Sequence, residues 1–237
     1  MSRRSVELEP GWLLAQRPYR DSSQLLEVLT ASRGRIGLVA RGVRTPKSRL
    51  RGVLQPFTPL LLSWQSGGEL GTLRSAEARG HAVVLHGERI FHGWYLNELL
   101  LRLLPRDAPH PYLYAVYEAL LPQLAGTAVE AETALRLFEK RLLADLGYGL
   151  RLPDTLDPLR HYRYDADLGA VEEDGSAGDQ AYDGASLIAL REERLDEPAA
   201  RRAARRLLRA ALRVQLGDRE LESARLLREL RARRVPT

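Results

Sequence analysis

The spacing of apolar positions changes once along this chain, near residue 80. Before that point, short apolar runs are separated by turn residues: Trp12–Leu14, Leu25–Thr30, Arg35–Val43, Leu60–Trp64 and Leu70–Ser75. In the third run Ile36, Leu38 and Ala40 fall on every second residue, the period of a half-buried strand. Gly34 supplies a tight turn, Pro56 and Pro59 suit an edge or a bulge, and Ser66, Gly67 and Gly68 form a hairpin signal. Five strands in so short a segment predict a small closed barrel, for which the five-stranded oligonucleotide-binding (OB) barrel is the obvious candidate.

Beyond Gly80 the helical period takes over. Over 83–104, Leu96, Leu99, Leu100, Leu103 and Leu104 share one broad face, and Pro105 and Pro109 end the pattern. A second helix is predicted over Tyr112–Leu124. A third opens at Thr127 with Glu130 as a capping box and runs to Leu146, where Gly147 and Gly149 stop it. Residues 150–182 are polar and contain the alternating run Tyr162, Arg163, Tyr164, which predicts a short hairpin followed by a mobile acidic loop, Glu172–Asp179. Further helices are predicted over Ser186–Glu193, from Asp196 and Pro198 to about Leu216, and over Ser223–Arg233. The expected architecture is a multidomain α+β chain. Residues 1–80 form an OB-type barrel, and 81–237 form a mostly helical domain with a hairpin or loop insertion at about 150–182.

Charge sharpens this division. Of the 237 residues, 1–80 hold 13 Arg and Lys against 6 Asp and Glu, whereas the remainder holds 23 against 25. The excess is concentrated between Arg33 and Arg51, a stretch with seven cations and no acid. A strand that feeds such a run into a loop suits a polyanion, with Arg35, Arg41, Arg44, Lys47, Arg49 and Arg51 placed to neutralise backbone phosphates. The bland alternative is a solvated basic surface. Tyr19, between Arg17-Pro18 and Arg20, is the surface aromatic on which a base could stack, whereas Trp12 and Trp64 read as core residues. With so few stacking platforms, binding is expected to be mainly electrostatic and weakly selective. A second basic element recurs every four residues at Arg201, Arg205, Arg209 and Arg213; it fits either an amphipathic surface helix or an additional phosphate track.

Other chemistry is thin. Cysteine is absent, so there is no disulfide, thiolate zinc site or cysteine nucleophile. The five histidines include no H-x-x-x-H pair, and no phosphate-binding glycine loop or serine nucleophile elbow occurs. Asp165, Asp167, Glu172, Glu173 and Asp174 could supply carboxylates to a metal-dependent nuclease, or form an acidic solvated loop. No cofactor is expected. The N-terminus lacks the apolar core of a signal peptide and no stretch is long enough to span a bilayer, so a soluble cytoplasmic protein is the expectation.

Several runs together resemble the RecO family of bacterial recombination mediators: R-P-Y-R-D-S-S (Arg17 to Ser23), G-R-I-G-L-V-A-R-G-V-R (Gly34 to Arg44), L-Q-P-F-T-P-L (Leu54 to Leu60), L-R-S-A-E (Leu73 to Glu77), Y-L-N-E-L-L (Tyr95 to Leu100), A-L-R-L-F-E (Ala134 to Glu139), L-G-Y-G (Leu146 to Gly149) and L-G-D-R-E-L-E-S-A-R-L-L-R-E-L near the C-terminus. The resemblance covers nearly the whole chain. It implies an OB barrel joined to a helical domain, binding to single- and double-stranded DNA, and annealing of complementary strands. It also implies work with RecR to help RecA load onto DNA coated by single-stranded-DNA-binding protein (SSB). Many members carry a four-cysteine zinc site after L-G-Y-G; this chain resembles the metal-free branch. Arg136 matches a family position implicated in docking the acidic C-terminal tail of SSB, where a cation would hold the tail carboxylate. The resulting expectation is a non-enzymatic DNA-repair mediator. The rivals are a generic RNA-binding module and the nuclease named above.

Overall fold

A computed structural model describes residues 5–173, 181–217 and 220–234. Strands β1 (Ser5–Tyr19), β2 (Ser23–Thr30), β3 (Gly34–Ala40), β4 (Pro59–Gln65) and β5 (Gly71–Ala78) close into a barrel in the order β1-β2-β3-β5-β4, with β4 returning to β1. All pairings are antiparallel except β3 with β5, which run parallel through Leu38↔Gly71 and Val39↔Thr72. This is the OB-type arrangement expected. Closure rests on β1, which reaches well beyond the Trp12–Leu14 run that marks it in the sequence. Its first half pairs with β4 and its second with β2, and irregularities between Val6 and Glu9 and between Leu13 and Ala15 bend it around the barrel. Glu7, Glu9, Gln16 and Arg17 face outward and hide the strand's length from an apolar count.

The barrel interior holds Leu13, Leu26, Val28, Ile36, Leu38, Leu60, Leu62 and Trp64 among its buried side chains. Gly71 has the space of a hydrogen and no more: a Cβ there would lie 2.7 Å from both Leu38 Cδ2 and Trp64 Cδ1, so the parallel β3–β5 contact depends on glycine. Gly34 is needed twice over. Its φ is +68°, and a Cβ would come within 1.7 Å of the Ala108 carbonyl oxygen.

Part of the outer barrel wall is buried as well. Helices α2 (Arg89–Leu103) and α3 (Pro111–Leu120) follow the short α1 (Leu50–Val53) of the β3–β4 connection. Trp12 meets Tyr117 of α3 edge to face, with ring centres 5.6 Å apart. Asn97 of α2 donates to the Leu14 carbonyl at 3.0 Å and accepts from the Tyr117 hydroxyl at 2.7 Å, so one buried amide ties β1, α2 and α3 together. Helix α2 begins later than its leucine period suggests, because Val83 spends its N–H on the Phe57 carbonyl and Gly87 has φ +57°. Helix α3 gives way to a 3-10 turn, Pro122–Ala125, since Pro122 has no N–H to continue it.

Helix α4 (Ala128–Asp145) carries the full capping box: the Thr127 side chain accepts from the Glu130 N–H at 3.2 Å and Glu130 accepts from the Thr127 N–H at 2.5 Å. The predicted hairpin is β6 (His161–Asp165) with β7 (Gly169–Glu172), and a short third strand, β8 (Tyr182–Asp183), flanks β6. Most of the predicted acidic loop Glu172–Asp179 lies outside the described residues. Helix α5 (Gly184–Arg191) is capped by Asp183, which accepts from the Ser186 N–H at 2.7 Å. Helix α6 (Pro198–Leu216) buries Ala204, Leu207, Leu208 and Leu212 and ends at Gly217, φ +68°. Helix α7 (Glu222–Arg234) closes the described chain.

The chain forms two compact units, Met1–Ala125 together with Glu220–Thr237, and Gly126–Arg219. Helices α2, α3 and α7 thus belong to the unit that contains the barrel. No helix among the described residues is long and apolar enough to cross a membrane.

Candidate nucleic-acid interface

The connection between β3 and β4 alternates between anchors and charges. Val43 and Leu54 are 1% and 2% exposed and join the barrel core, with Leu50 and Val53 packed partly against it. Between and beside these anchors Arg41, Arg44, Lys47, Arg49 and Arg51 are all exposed. Apolar residues fold inward because their burial is favourable, and the intervening cations have nowhere to go but solvent. Local hydrogen bonds hold the backbone: Thr45 Oγ1 and N–H donate to the Gly42 carbonyl at 2.7 and 3.2 Å, the Ser48 N–H to the Thr45 carbonyl at 3.1 Å, and Gln55 Nε2 to the Arg51 carbonyl at 2.7 Å. No carboxylate among the described residues forms an ion pair with any of the five cations. A pinned loop with unpaired cations loses little conformational freedom on meeting phosphate.

The β1–β2 turn joins this loop. The Arg44 N–H donates to the Ser22 carbonyl at 2.9 Å, and its Nη1 lies 3.3 Å from the carbonyl oxygens of Arg20 and Asp21. Arg20, with φ +52°, holds its guanidinium 5.2 Å from the centre of the Tyr19 ring. Tyr19 and Arg44 are therefore brought to the same end of the barrel, accompanied by Arg20, a cation that the charge run of the following loop does not reveal. The sequence signal for it is the R-P-Y-R-D turn itself.

Arg35 is placed differently. It projects from the outer face of β3, donates to the Leu101 carbonyl and sits 4.0 Å from Glu27 of β2, which also binds Arg106. Burial pulls its pKa down, Glu27 pushes it up, and Arg106 adds to the lowering. Its guanidinium is engaged inside the protein rather than offered with the loop cations.

Arg136 lies on α4 in the other unit. It is 7% exposed, and its Nη2 donates to Glu139 Oε1 at 2.7 Å; Glu139 is 1% exposed. Nearby on the same helix Lys140 and Arg141 both bind Glu193. Of the acidic candidates, Asp174 lies outside the described residues and the others do not gather into a metal site. Asp165 Oδ1 accepts from the N–H groups of Asp167 and Leu168 at 2.9 and 3.0 Å, and these bonds, helped by Arg163 and opposed by desolvation, hold its carboxyl below the usual range. Among the described residues no three His, Cys, Asp or Glu side chains form a group that could hold a metal ion.

A closed five-stranded barrel of this strand order, with a cationic loop at one end and helices on its outer wall, defines an OB-fold protein with a helical extension. Comparison with known sequences narrows this class. The family model for the N-terminal part of recombination protein O matches residues 5–81, and the model for its C-terminal part matches residues 85–225. The DNA repair protein RecO of Methylococcus capsulatus is 44% identical over 231 residues, covering 94% of this chain and 93% of that protein. Its counterpart in Nitrosococcus oceani is 46% identical over 235 residues, covering 95% and 94%, and that of Alkalilimnicola ehrlichii is 45% identical over 241 residues, covering 97% and 94%. The chain belongs to the RecO family.

Proposed function

We propose that this protein is a DNA-repair mediator that binds single- and double-stranded DNA, anneals complementary strands and, with RecR, helps RecA load onto SSB-coated single strands. The observation that carries the reading is the pinned β3–β4 loop, with five exposed cations lacking carboxylate partners, in a chain similar over most of its length to DNA repair proteins. Arg41, Arg44, Lys47, Arg49 and Arg51 contact backbone phosphates, and Tyr19 offers a ring to a base. Annealing needs no catalytic residue. Cations lower the repulsion between two strands and hold them close, and base pairing supplies the driving force. Five phosphate contacts to a single strand correspond to a slope of about −3.5 in log K against log salt, at roughly −0.7 each.

Arg136 is the proposed contact for the SSB tail carboxylate. One observation supports this: the Arg136 Nε–H has no hydrogen-bond partner among the described residues, which leaves the guanidinium a donor for a second carboxylate while Nη2 keeps its bond to Glu139.

The test is charge reversal of the loop, Arg44→Glu with Lys47→Glu and Arg49→Glu, measured by fluorescence anisotropy and by an annealing assay. All three residues are exposed, so the fold should persist. Tight strand binding and annealing should both be lost at low salt; undiminished binding and annealing would overturn the reading. Competition between DNA and RNA strands of equal length checks the class of nucleic acid.

A further inference from the structure

Helix α6 contains six arginines and no acidic residue between Pro198 and Gly217. They fall into two groups. Arg201 is buried, donates to the Leu195 carbonyl at 2.7 Å and lies 3.4 Å from Glu132; Arg206 binds the Ala181 carbonyl and lies 3.9 Å from the centre of the Tyr182 ring. These two have structural work. Arg202, Arg205, Arg209 and Arg213 are exposed, and none forms an ion pair with a carboxylate among the described residues.

The four share one face. At about 100° per residue they fall within an arc of roughly 80°, and at 1.5 Å per residue they span ~16 Å along the axis. That is about the axial length of five nucleotides in one strand of a duplex. Ala204, Leu207 and Leu208 lie on the far side of the helix and, with Leu212 at the border of the arginine row, do the packing. The arginine row contributes nothing to that packing, and like charges three or four residues apart destabilise a helix. A row that repels itself is stabilised by an anion that compensates it. An amphipathic peptide would need apolar anchors at helical spacing in a groove. Here the exposed large apolar side chain of the helix is Val214, about 100° around from Arg213. Regular positive charge without apolar anchors matches a phosphate backbone.

We infer that α6 is a second phosphate-binding track, formed by Arg202, Arg205, Arg209 and Arg213, which holds a second nucleic-acid strand while the barrel loop holds the first. The inference rests on the reading of the loop as the first site and deepens it: one chain would present two strands for annealing. The loop lies in one compact unit and α6 in the other, so the two tracks can be disabled separately.

The test compares the full-length protein with Arg205→Gln, Arg209→Gln, Arg213→Gln, which removes three charges while keeping an unbranched polar side chain and helix propensity. Two non-complementary labelled oligonucleotides are offered together, and the number of strands per chain is read by native mass spectrometry, alongside anisotropy and annealing rates. The unaltered chain should carry both strands. The glutamine variant should keep the first, bind the second about a hundredfold more weakly at 0.1 M salt, with a salt slope shallower by about 2, and anneal more slowly. Unchanged two-strand occupancy and annealing in this variant would overturn the inference, and so would loss of binding to an acidic peptide with both DNA measurements unchanged. The outcomes separate the two sites. If the loop variant alone loses strand binding, the loop reading survives and the α6 track fails; if the loop variant binds normally and the glutamine variant does not, the loop reading fails, and α6 binds phosphate without being the second of two tracks.

Discussion

Arg136 and Glu139 form a buried pair whose energetics constrain how any docking role can be tested. Both side chains are almost fully removed from water, so each depends on the other to offset its desolvation. Removing Arg136 alone takes the guanidinium from a buried carboxylate, a change of up to about 3–5 kcal/mol that would confuse misfolding with lost docking. The informative variant neutralises both, Arg136→Met with Glu139→Gln, which is expected to keep stability within about 1–2 kcal/mol. Titrated with a peptide of the SSB tail, it should show no measurable binding while its melting curve stays cooperative. Retained peptide affinity would assign the carboxylate contact elsewhere. The candidate residues differ in how far sequence alone could place them. Arg41, Arg44, Lys47, Arg49 and Arg51 announce themselves because they are near neighbours on a polar, turn-rich segment, and exposure follows from composition. Arg35 sits in the same basic stretch, yet its partner Leu101 engages it through tertiary packing, which a run of letters does not encode. Arg136 and Glu139 are three residues apart on one helix, so their pairing is readable from the sequence, but the burial of both is not.

At the scale of elements, α7 is held by its ends. Glu98 of α2 accepts at its first turn, from the Glu222 N–H at 2.8 Å, the Ser223 N–H at 2.9 Å and the Ser223 hydroxyl at 2.7 Å. This is an N-cap supplied by another helix, with a full negative charge at the positive end of the dipole. Near the far end, Arg231 binds Glu88 with Nη2 to Oε2 at 2.6 Å. Burial pushes the Glu98 carboxyl up, but the hydrogen bonds from Ser223 and Glu222, with Arg102 alongside, outweigh it and hold the group below its ordinary value. A carboxyl with a depressed folded pKa stabilises in full above its unfolded value and loses that contribution as pH falls through the folded one. Protection of α7 amides from hydrogen exchange, taken relative to α3 at the same pH, should therefore collapse on acidification through the carboxylate range. Glu98→Gln should lower α7 protection already at neutral pH, by about 1 kcal/mol. Equal protection in the two proteins would mean that α7 is held by its leucines and Arg231 alone. Local signals of this kind are only partly legible. The Thr127–Glu130 box is contiguous in sequence and could be read directly, and Pro198 and Gly217 bracket α6 as their backbone preferences require. The cap on α7 comes from a residue more than 120 positions away, and the parallel β3–β5 pairing joins strands separated by α1 and β4; neither leaves a local trace.

For the whole molecule, the path of the chain matters more than the order of its elements. It leaves the barrel-containing unit after Ala125, builds Gly126–Arg219, and returns as Glu220–Thr237 to complete the unit it left. The helical period of the last segment predicts a helix but is silent on its partner, since Leu226, Leu227 and Leu230 could pack against any apolar face. The return has a thermodynamic consequence. Residues at the C-terminus should stabilise the N-terminal barrel rather than the helices that precede them in sequence. All three tryptophans, Trp12, Trp64 and Trp94, lie in the first unit, so intrinsic fluorescence reports on it alone. Deleting 220–237 removes the contacts that Glu98, Arg102 and Glu88 make with this segment. It is expected to lower the fluorescence melting midpoint by several degrees, at about 2–4 °C per kcal/mol for a chain of this size. Amide protection in α4 and α6 should change little. The opposite result, with α4 and α6 loosened and the tryptophan transition unmoved, would show that the last helix completes the helical unit and would break the link between the chain's end and its barrel.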